Sequence, residues 1–256
     1  MANVTTEYSG AGDPKRSLEL LWGVQGRPRR GPKPRLTVEA IVRAAIAAAD
    51  ADGLEALSMR RIAEDLGVAT MSIYTYVPGK AELVDVMLDR VVGELTPPEG
   101  GGWRDRLEHI ARDNWALFHR HPWMLQIAVA RPPLGPGMVA KYEYELAAVD
   151  GVGLTDLEMD SVVALVTGFA ESAARVSVNA AEAERRSGIS DLEWWKAAAP
   201  VLEELLDPAD YPLGDRVGTA AGQEYGAVLA PRRAFEFGLT RILDGIEVLI
   251  SSRSSR

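Results

Sequence analysis

Residues 59–77, MRRIAEDLGVATMSIYTYV, constrain the fold of this chain more than any other stretch. Two short helical runs meet at Gly67. Ile62, Leu66 and Ile73 recur so as to close one small core. Ala63 is small where one helix crosses close over the other, and Gly67 stands where the turn needs a positive φ, which costs little only for glycine. The spacing of Ala63, Gly67 and Ile73, four residues and then six, fits a helix-turn-helix. Alanine and glycine are common, so these positions alone also suit an ordinary pair of short bundle helices. The residues expected to face outward separate the two readings. Thr70, Ser72, Tyr74, Thr75 and Tyr76 are polar or aromatic and none is acidic. Hydroxyls bond phosphates or base edges, and a threonine methyl meets a thymine methyl. Arg60 falls in the first turn of its helix, where guanidinium and helix end both favour phosphate. Lys80 opens the next helix, well placed for another phosphate. Arg61 is read as solvated.

The rest of the chain also reads as helix, so the expected fold class is all-α. Thr37 caps a run to Gly53 in which Val38, Ile41, Val42, Ala45, Ile46 and Ala49 recur at helical spacing, and Ser58 caps the next. Further helices are expected over about 70–76, 80–95, 103–119, 122–129, 136–149, 155–187, 191–206 and 232–251. Proline and glycine punctuate them, and no stretch alternates with period two for long enough to argue a strand. Residues 1–26 are expected to be a flexible extension, residues 1–16 disordered, with an apolar island at 17–23 (SLELLWG) that docks somewhere. Residues 27–36 form a basic arm, 37–82 a helix-turn-helix domain, and 83–256 a ligand-binding and dimerisation domain.

Charge is distributed unevenly. The net charge of −9 argues at first against a nucleic-acid partner. Yet residues 1–80 hold 11 Lys and Arg against 9 Asp and Glu, and the remainder hold 17 against 28. The arm RPRRGPKPR carries Arg27, Arg29, Arg30, Lys33 and Arg35 and no acid. Its prolines keep it extended. A thin cationic arm is a solubilising linker by default; ahead of a helix-turn-helix it suits a narrow minor groove.

Other classes are disfavoured. There is no cysteine, which removes disulfides, thiolate metal sites and cysteine nucleophiles and suits a cytoplasmic protein. No unbroken apolar stretch approaches the about 18 residues of a membrane span, so no membrane partner is expected. His109, His119 and His121 do not have the spacing of a metal pair on one helix face. No glycine-rich phosphate loop follows a strand, and no metal, cofactor or enzyme activity is expected. An effector-independent architectural DNA binder remains the alternative to a regulator.

The second half suggests a pocket and a partner surface. Asn114 falls on the apolar stripe of residues 103–119, either as a satisfied core amide or as a ligand contact. Trp115, Phe118, His119, Trp123 and Met124 add aromatic and soft surface, Tyr142 and Leu146 offer another wall, and Phe169 is the favoured pocket residue on the next helix. Residues 161–170 are apolar or small nearly all round and need cover on both sides. Glu171 and Arg175 are spaced to pair.

From Thr37 to about Leu95, through DGLEALSMRRIAEDLGV and MSIYTYVPGK, the sequence resembles the tetracycline-repressor (TetR) family of bacterial regulators. The resemblance implies a homodimer whose three-helix DNA-binding module is joined by a fourth helix to a ligand-binding body. It implies double-stranded operator DNA and a small-molecule effector as partners, usually with repression until the effector binds. Arg60, Thr70, Ser72, Tyr74, Thr75, Tyr76 and Lys80 match family positions that touch operator DNA, Tyr74 and Lys80 in residue type as well. Met59 replaces a hydroxyl that some members use on phosphate. The later segments Trp103, His121-Pro122-Trp123, Asp210-Tyr211-Pro212 and the last helix resemble, more weakly, the family's C-terminal domain, which also occurs in regulators of antibiotic export. An antibiotic or metabolite effector and an exporter or pathway gene are the expected setting. In the family, the helices matching 155–187 and 232–251 build a four-helix dimer bundle, which places Val162, Arg175, Phe235, Leu239, Ile242 and Ile246 at the expected interface. Ile110 and Asn114 stand where the tetracycline repressor has Asn and Phe, and no matching metal histidine is found, so a metal–tetracycline chelate is not expected.

Overall fold

The computed structural model describes residues 7–24, 36–129 and 131–254. The chain is helical almost throughout: α1 (Pro14–Leu21), α2 (Val38–Asp52), α3 (Met59–Leu66), α4 (Thr70–Tyr74), α5 (Lys80–Val92), α6 (Trp103–Arg120), α7 (Pro136–Ala147), α8 (Asp156–Ser187), α9 (Asp191–Leu205), α10 (Pro212–Tyr225) and α11 (Pro231–Ser254). The caps read from sequence are in place. Thr37 accepts from the Ala40 N–H at 3.1 Å and Ser58 from the Arg61 N–H at 3.2 Å. Each satisfies a backbone donor that the first helical turn leaves without a partner.

Two apolar cores stack along α6. The first joins Ile41 and Ala45 of α2, Ile62, Ile73 and the apolar residues of α5 (Leu83, Val84, Met87, Leu88, Val91 and Val92) to Leu117, Trp123, Met124 and Ile127 of the body. The second joins Leu107, Ile110 and Ala111 of α6 to Val163, Val166 and Ala170 of α8 and Phe235, Leu239 and Ile246 of α11. Polar ties flank it: Arg104 reaches Asp244 at 2.6 Å and Glu247 at 3.1 Å, and Arg112 reaches Glu236 at 2.7 Å. The helix-turn-helix therefore has no core to itself. It shares one with the body, with α5 as the common element.

Four details depart from the sequence reading. Residues 7–24, expected within a flexible extension, form a short strand β1 (Glu7–Tyr8) and α1, and Leu20 enters the first core. Asp13 caps α1 through the Lys15 and Arg16 N–H groups. Residues 122–129 form a 3₁₀ turn (Pro122–Gln126) and strand β2 (Ile127–Ala128), which pairs parallel with β1. This two-residue ladder is too short to leave an alternating pattern. Helix α10 was hidden by three glycines, each unfavourable in a helix interior by about 1 kcal/mol. Finally α8 is long and apolar enough, by length and composition, to cross a membrane; here it packs on α6 and α11.

The docking of residues 7–24 rests on buried carboxylates of α5. Asp85 accepts from the Gly10 N–H at 2.9 Å and from Ser17 Oγ at 3.2 Å. Burial pushes the Asp85 carboxyl above its ordinary value; the two hydrogen bonds oppose this and the Glu82 charge adds to it. An acid whose folded pKa exceeds its unfolded one holds its proton more tightly when folded. Asp85 therefore adds stability as the pH falls from neutrality toward about 4, and loses it as the pH rises through the raised value. Burial raises Glu145 in the same direction, opposed by Lys141. Asp85→Asn keeps an acceptor for Gly10 and removes the charge. It is expected to raise the thermal midpoint at pH 7 and to shrink the gain seen on acidifying to pH 5. A lower midpoint with an unchanged pH slope would show that the ionised form is the one that holds.

Candidate nucleic-acid interface and ligand-binding body

The turn between α3 and α4 has the expected geometry. Gly67 is left-handed at φ 65°, and the Val68 N–H closes on the Ala63 carbonyl at 2.9 Å. Ile62, Ala63, Ile73 and Val77 are buried beneath it. This fixes α4 with Met71, Tyr74 and Thr75 outward and Thr70, Ser72 and Lys80 half-exposed. Thr75 Oγ1 donates back to the Met71 carbonyl at 3.4 Å. Tyr76 is only partly available, because it packs against the first core. Arg60 lies exposed beside Glu64 at 3.0 Å. Arg61 braces the module, pairing with Asp52 at 2.9 Å and Asp65 at 3.3 Å. Lys80 pairs with Glu7 of β1 at 2.7 Å. Arg27, Arg29 and Arg30 lie outside the described residues.

In the body, the aromatic side chains converge where α6, α8 and α11 meet. Trp115 stacks on Phe235 with centroids 4.4 Å apart, and Phe169 lies parallel to Phe235 at 5.9 Å. His119 lies 4.7 Å from Trp115 and reaches Ser177 Oγ at 3.0 Å. Gly238 leaves the room for Phe169: a Cβ there would stand 2.4 Å from the ring.

The other proposed pocket residues are spread out. Asn114 is buried and donates to the Ile110 carbonyl at 2.8 Å, and the buried Glu145 carboxylate pairs with Lys141 at 2.5 Å. Phe118 packs on the first core. Trp123 is buried there, its indole N–H on Asp50 at 2.7 Å. Tyr142 is exposed and donates to Asp160 at 2.8 Å.

Of the residues proposed for a dimer interface, Phe235, Leu239, Val162 and Ile246 are buried in their own chain's second core. Val162 and Ile246 also floor an open groove between α8 and α11, whose more exposed lining is Leu165, Ile242, Gly245 and Leu249. Arg175 pairs with Glu171 at 2.7 Å and also donates to the Leu125 carbonyl, a tie within the chain.

The family model described as "Bacterial regulatory proteins, tetR family" matches residues 36–87, and that described as "Tetracyclin repressor-like, C-terminal domain" matches residues 96–250. The chain belongs to the TetR family. It is 47% identical over 252 residues to the HTH-type transcriptional repressor DrrR1 of Streptomyces coeruleorubidus, covering 97% of this chain and 91% of that one. Among solved structures, ActR of Streptomyces coelicolor in complex with actinorhodin superposes with a TM-score of 0.69 at 28% identity, over 84% of this chain and 96% of that one. Apo ActR superposes at 0.67 and 27% identity, over 88% and 99%. Members of the TetR family are DNA-binding transcriptional regulators and not enzymes.

In this TetR-family chain the junction between DNA-binding module and body is built from polar groups that the sequence reading missed. Asp89 of α5 accepts from the Gly137 and Met138 N–H groups at 3.2 and 2.8 Å, and so caps the start of α7. Asp50, at the end of α2, lies 2.7 Å from His121 Nδ1, whose Nε2 lies 3.3 Å from Glu94. Glu82, Asp85 and Asp89 fall at i, i+3 and i+7 on one helical stripe, which reads as a solvated face, so their burial left no mark in the sequence.

Proposed function

We propose that this TetR-family chain is a cytoplasmic homodimeric repressor that binds a palindromic operator and is released by a small, largely apolar molecule. The observation that carries the reading is the shared core. Helix α5 starts beside the recognition helix α4, runs through the first core and caps α7 of the body through Asp89. A body that changes shape must then move the module. Tyr74, Thr75 and Lys80, with Thr70, Ser72 and Arg60, are assigned to operator phosphates and base edges, and the basic arm to the flanking minor groove.

The effector is assigned to the aromatic nest of Trp115, Phe169 and Phe235. ActR has been seen in complex with actinorhodin and with (S)-DNPA, which supports a small-molecule effector here. Two-fold pairing is supported by apolar surface that one chain leaves open. Only 28% of the most apolar window of α8 is buried, and the groove it forms with α11 is lined by Leu165, Ile242 and Leu249. Helices α9 and α10 bury no residue, yet carry Trp194, Leu205, Leu213 and Val217. A dimer sets its two recognition helices in successive major grooves only at a separation of about 34–36 Å. An effector that favours another separation weakens DNA binding by the same factor by which DNA weakens effector binding.

The test is binding of the purified chain to duplex tiles from the DNA flanking its gene, at fixed salt and against random competitor. One tile bound in the face of competitor, with a palindrome at its centre, is the expected result. Weak and uniform binding to every tile would return the architectural alternative.

A further inference from the structure

Residues 7–22 fasten the DNA-proximal half of α5 to the body. β1 pairs with β2, the Ser9 N–H bonds the Ala128 carbonyl at 3.3 Å, and Ser9 Oγ donates to the Arg131 carbonyl at 2.8 Å. Trp22 donates its indole N–H to the Leu134 carbonyl at 2.8 Å. On the other side, Gly10 and Ser17 bond Asp85, and the Asp13 N–H reaches Glu82 at 3.4 Å. At Gly10 the fit leaves no room for a side chain: a Cβ would stand 2.9 Å from the Arg131 Cβ and 3.2 Å from the Arg131 carbonyl oxygen. At the leading end, Glu7 holds the Lys80 ammonium, both groups about one-third exposed.

We propose that this segment is an intramolecular strap whose Glu7 competes with the DNA phosphate for Lys80. The proposal rests on the reading of Lys80 as a phosphate contact. A phosphate drawn to Lys80 comes within ion-pair range of the Glu7 carboxylate, and like charges at that range repel. Strand pairing with β2 and the Asp85 bonds keep Glu7 at the site, so the carboxylate cannot simply diffuse away. The strap thereby sets a ceiling on affinity. It also ties that ceiling to β2, a body segment two residues from Leu125, whose carbonyl Arg175 of α8 holds.

The test is a double-mutant cycle on the full chain with Glu7→Gln and Lys80→Gln. It is read against the preferred flanking tile and against a random duplex of equal length. Glu7→Gln is expected to tighten binding to both about two- to fivefold, the range of a partly exposed ion pair. It should steepen the salt dependence by about 0.9 in log–log slope, one further phosphate neutralised. In the Lys80→Gln background it should change neither. A preferred tile combined with a Glu7→Gln effect that is absent, or that persists without Lys80, overturns the strap and leaves the operator reading standing. No preferred tile, with Glu7→Gln still tightening the random duplex through Lys80, supports the strap and overturns the operator reading.

Discussion

Gly137→Ala is expected to lower the thermal midpoint by roughly 6–12 °C. Gly137 lies in the first turn of α7, where that helix meets α5 almost backbone to backbone. A Cβ there would stand 2.2 Å from the Asp89 carbonyl oxygen and 3.2 Å from the Gly93 nitrogen. Neither atom is the end of a flexible side chain, so the helices must part. Parting them also lengthens the two bonds by which Asp89 caps α7, leaving a buried carboxylate short of donors. Overpacking of this kind costs about 3 kcal/mol, and in a chain of this size each kcal/mol moves the midpoint by about 2–4 °C. Gly218→Ala is the control. Gly218 is inside α10 with open space around it, and alanine there should be neutral or stabilising by up to about 1 kcal/mol. A fall of less than about 2 °C for Gly137→Ala would mean that α7 slides freely on α5, which would remove the proposed mechanical link between body and DNA-binding module.

That link shows where sequence reasoning stops. The helix-turn-helix was legible because its rules are local. Ser58 caps, Gly67 turns left-handed, and Ile62 and Ile73 alternate with polar neighbours, all within twenty residues. The caps of α2 and α3 were readable for the same reason. Asp85, Asp89 and His121 are different. Each is buried only because a segment distant in the chain supplies its partner, and an acid on a helix reads as solvated until that segment is known. The docking of residues 7–24 was half visible, as an apolar island without a site. Its decisive contacts are backbone N–H groups on α5 carboxylates, which leave no trace in side-chain periodicity. The pocket reading mixed two kinds of aromatic residue. Phe169 and Trp115 do meet Phe235 in one nest, whereas Trp123 serves the first core through Asp50 and Tyr142 lies outside on Asp160. Sequence spacing ranks such residues by helix face, and it cannot say which of two cores that face enters.

Leu165→Glu is expected to reduce binding to the flanking-DNA tile by about a hundredfold or more while leaving the fold of the single chain intact. Leu165 is 51% exposed on α8 and lines the groove with Val162, Ile242, Gly245 and Leu249. Its removal leaves no cavity within the chain, because its outer half faces no atom of its own subunit. In a two-fold pair the same groove occurs on both subunits, so each mutant dimer would bury two carboxylates against apolar surface without partners. The subunits should separate, seen as a halved mass in light scattering, with an unchanged helical spectrum. Affinity then falls because linkage is lost. Two half-sites engaged by one dimer gain about 10²–10⁴ over either alone, and a monomer keeps only the contacts of one α4. Random duplex, held by charge and not by symmetry, should be affected far less. Glu236→Gln removes a charge from α11 away from the groove, loosening only the Arg112 tie to α6, and should leave the mass unchanged. If Leu165→Glu stays dimeric and binds the tile as before, the groove between α8 and α11 is not the pairing surface. The exposed faces of α9 and α10, with Trp194, Leu205, Leu213 and Val217, would then have to hold the second subunit alone.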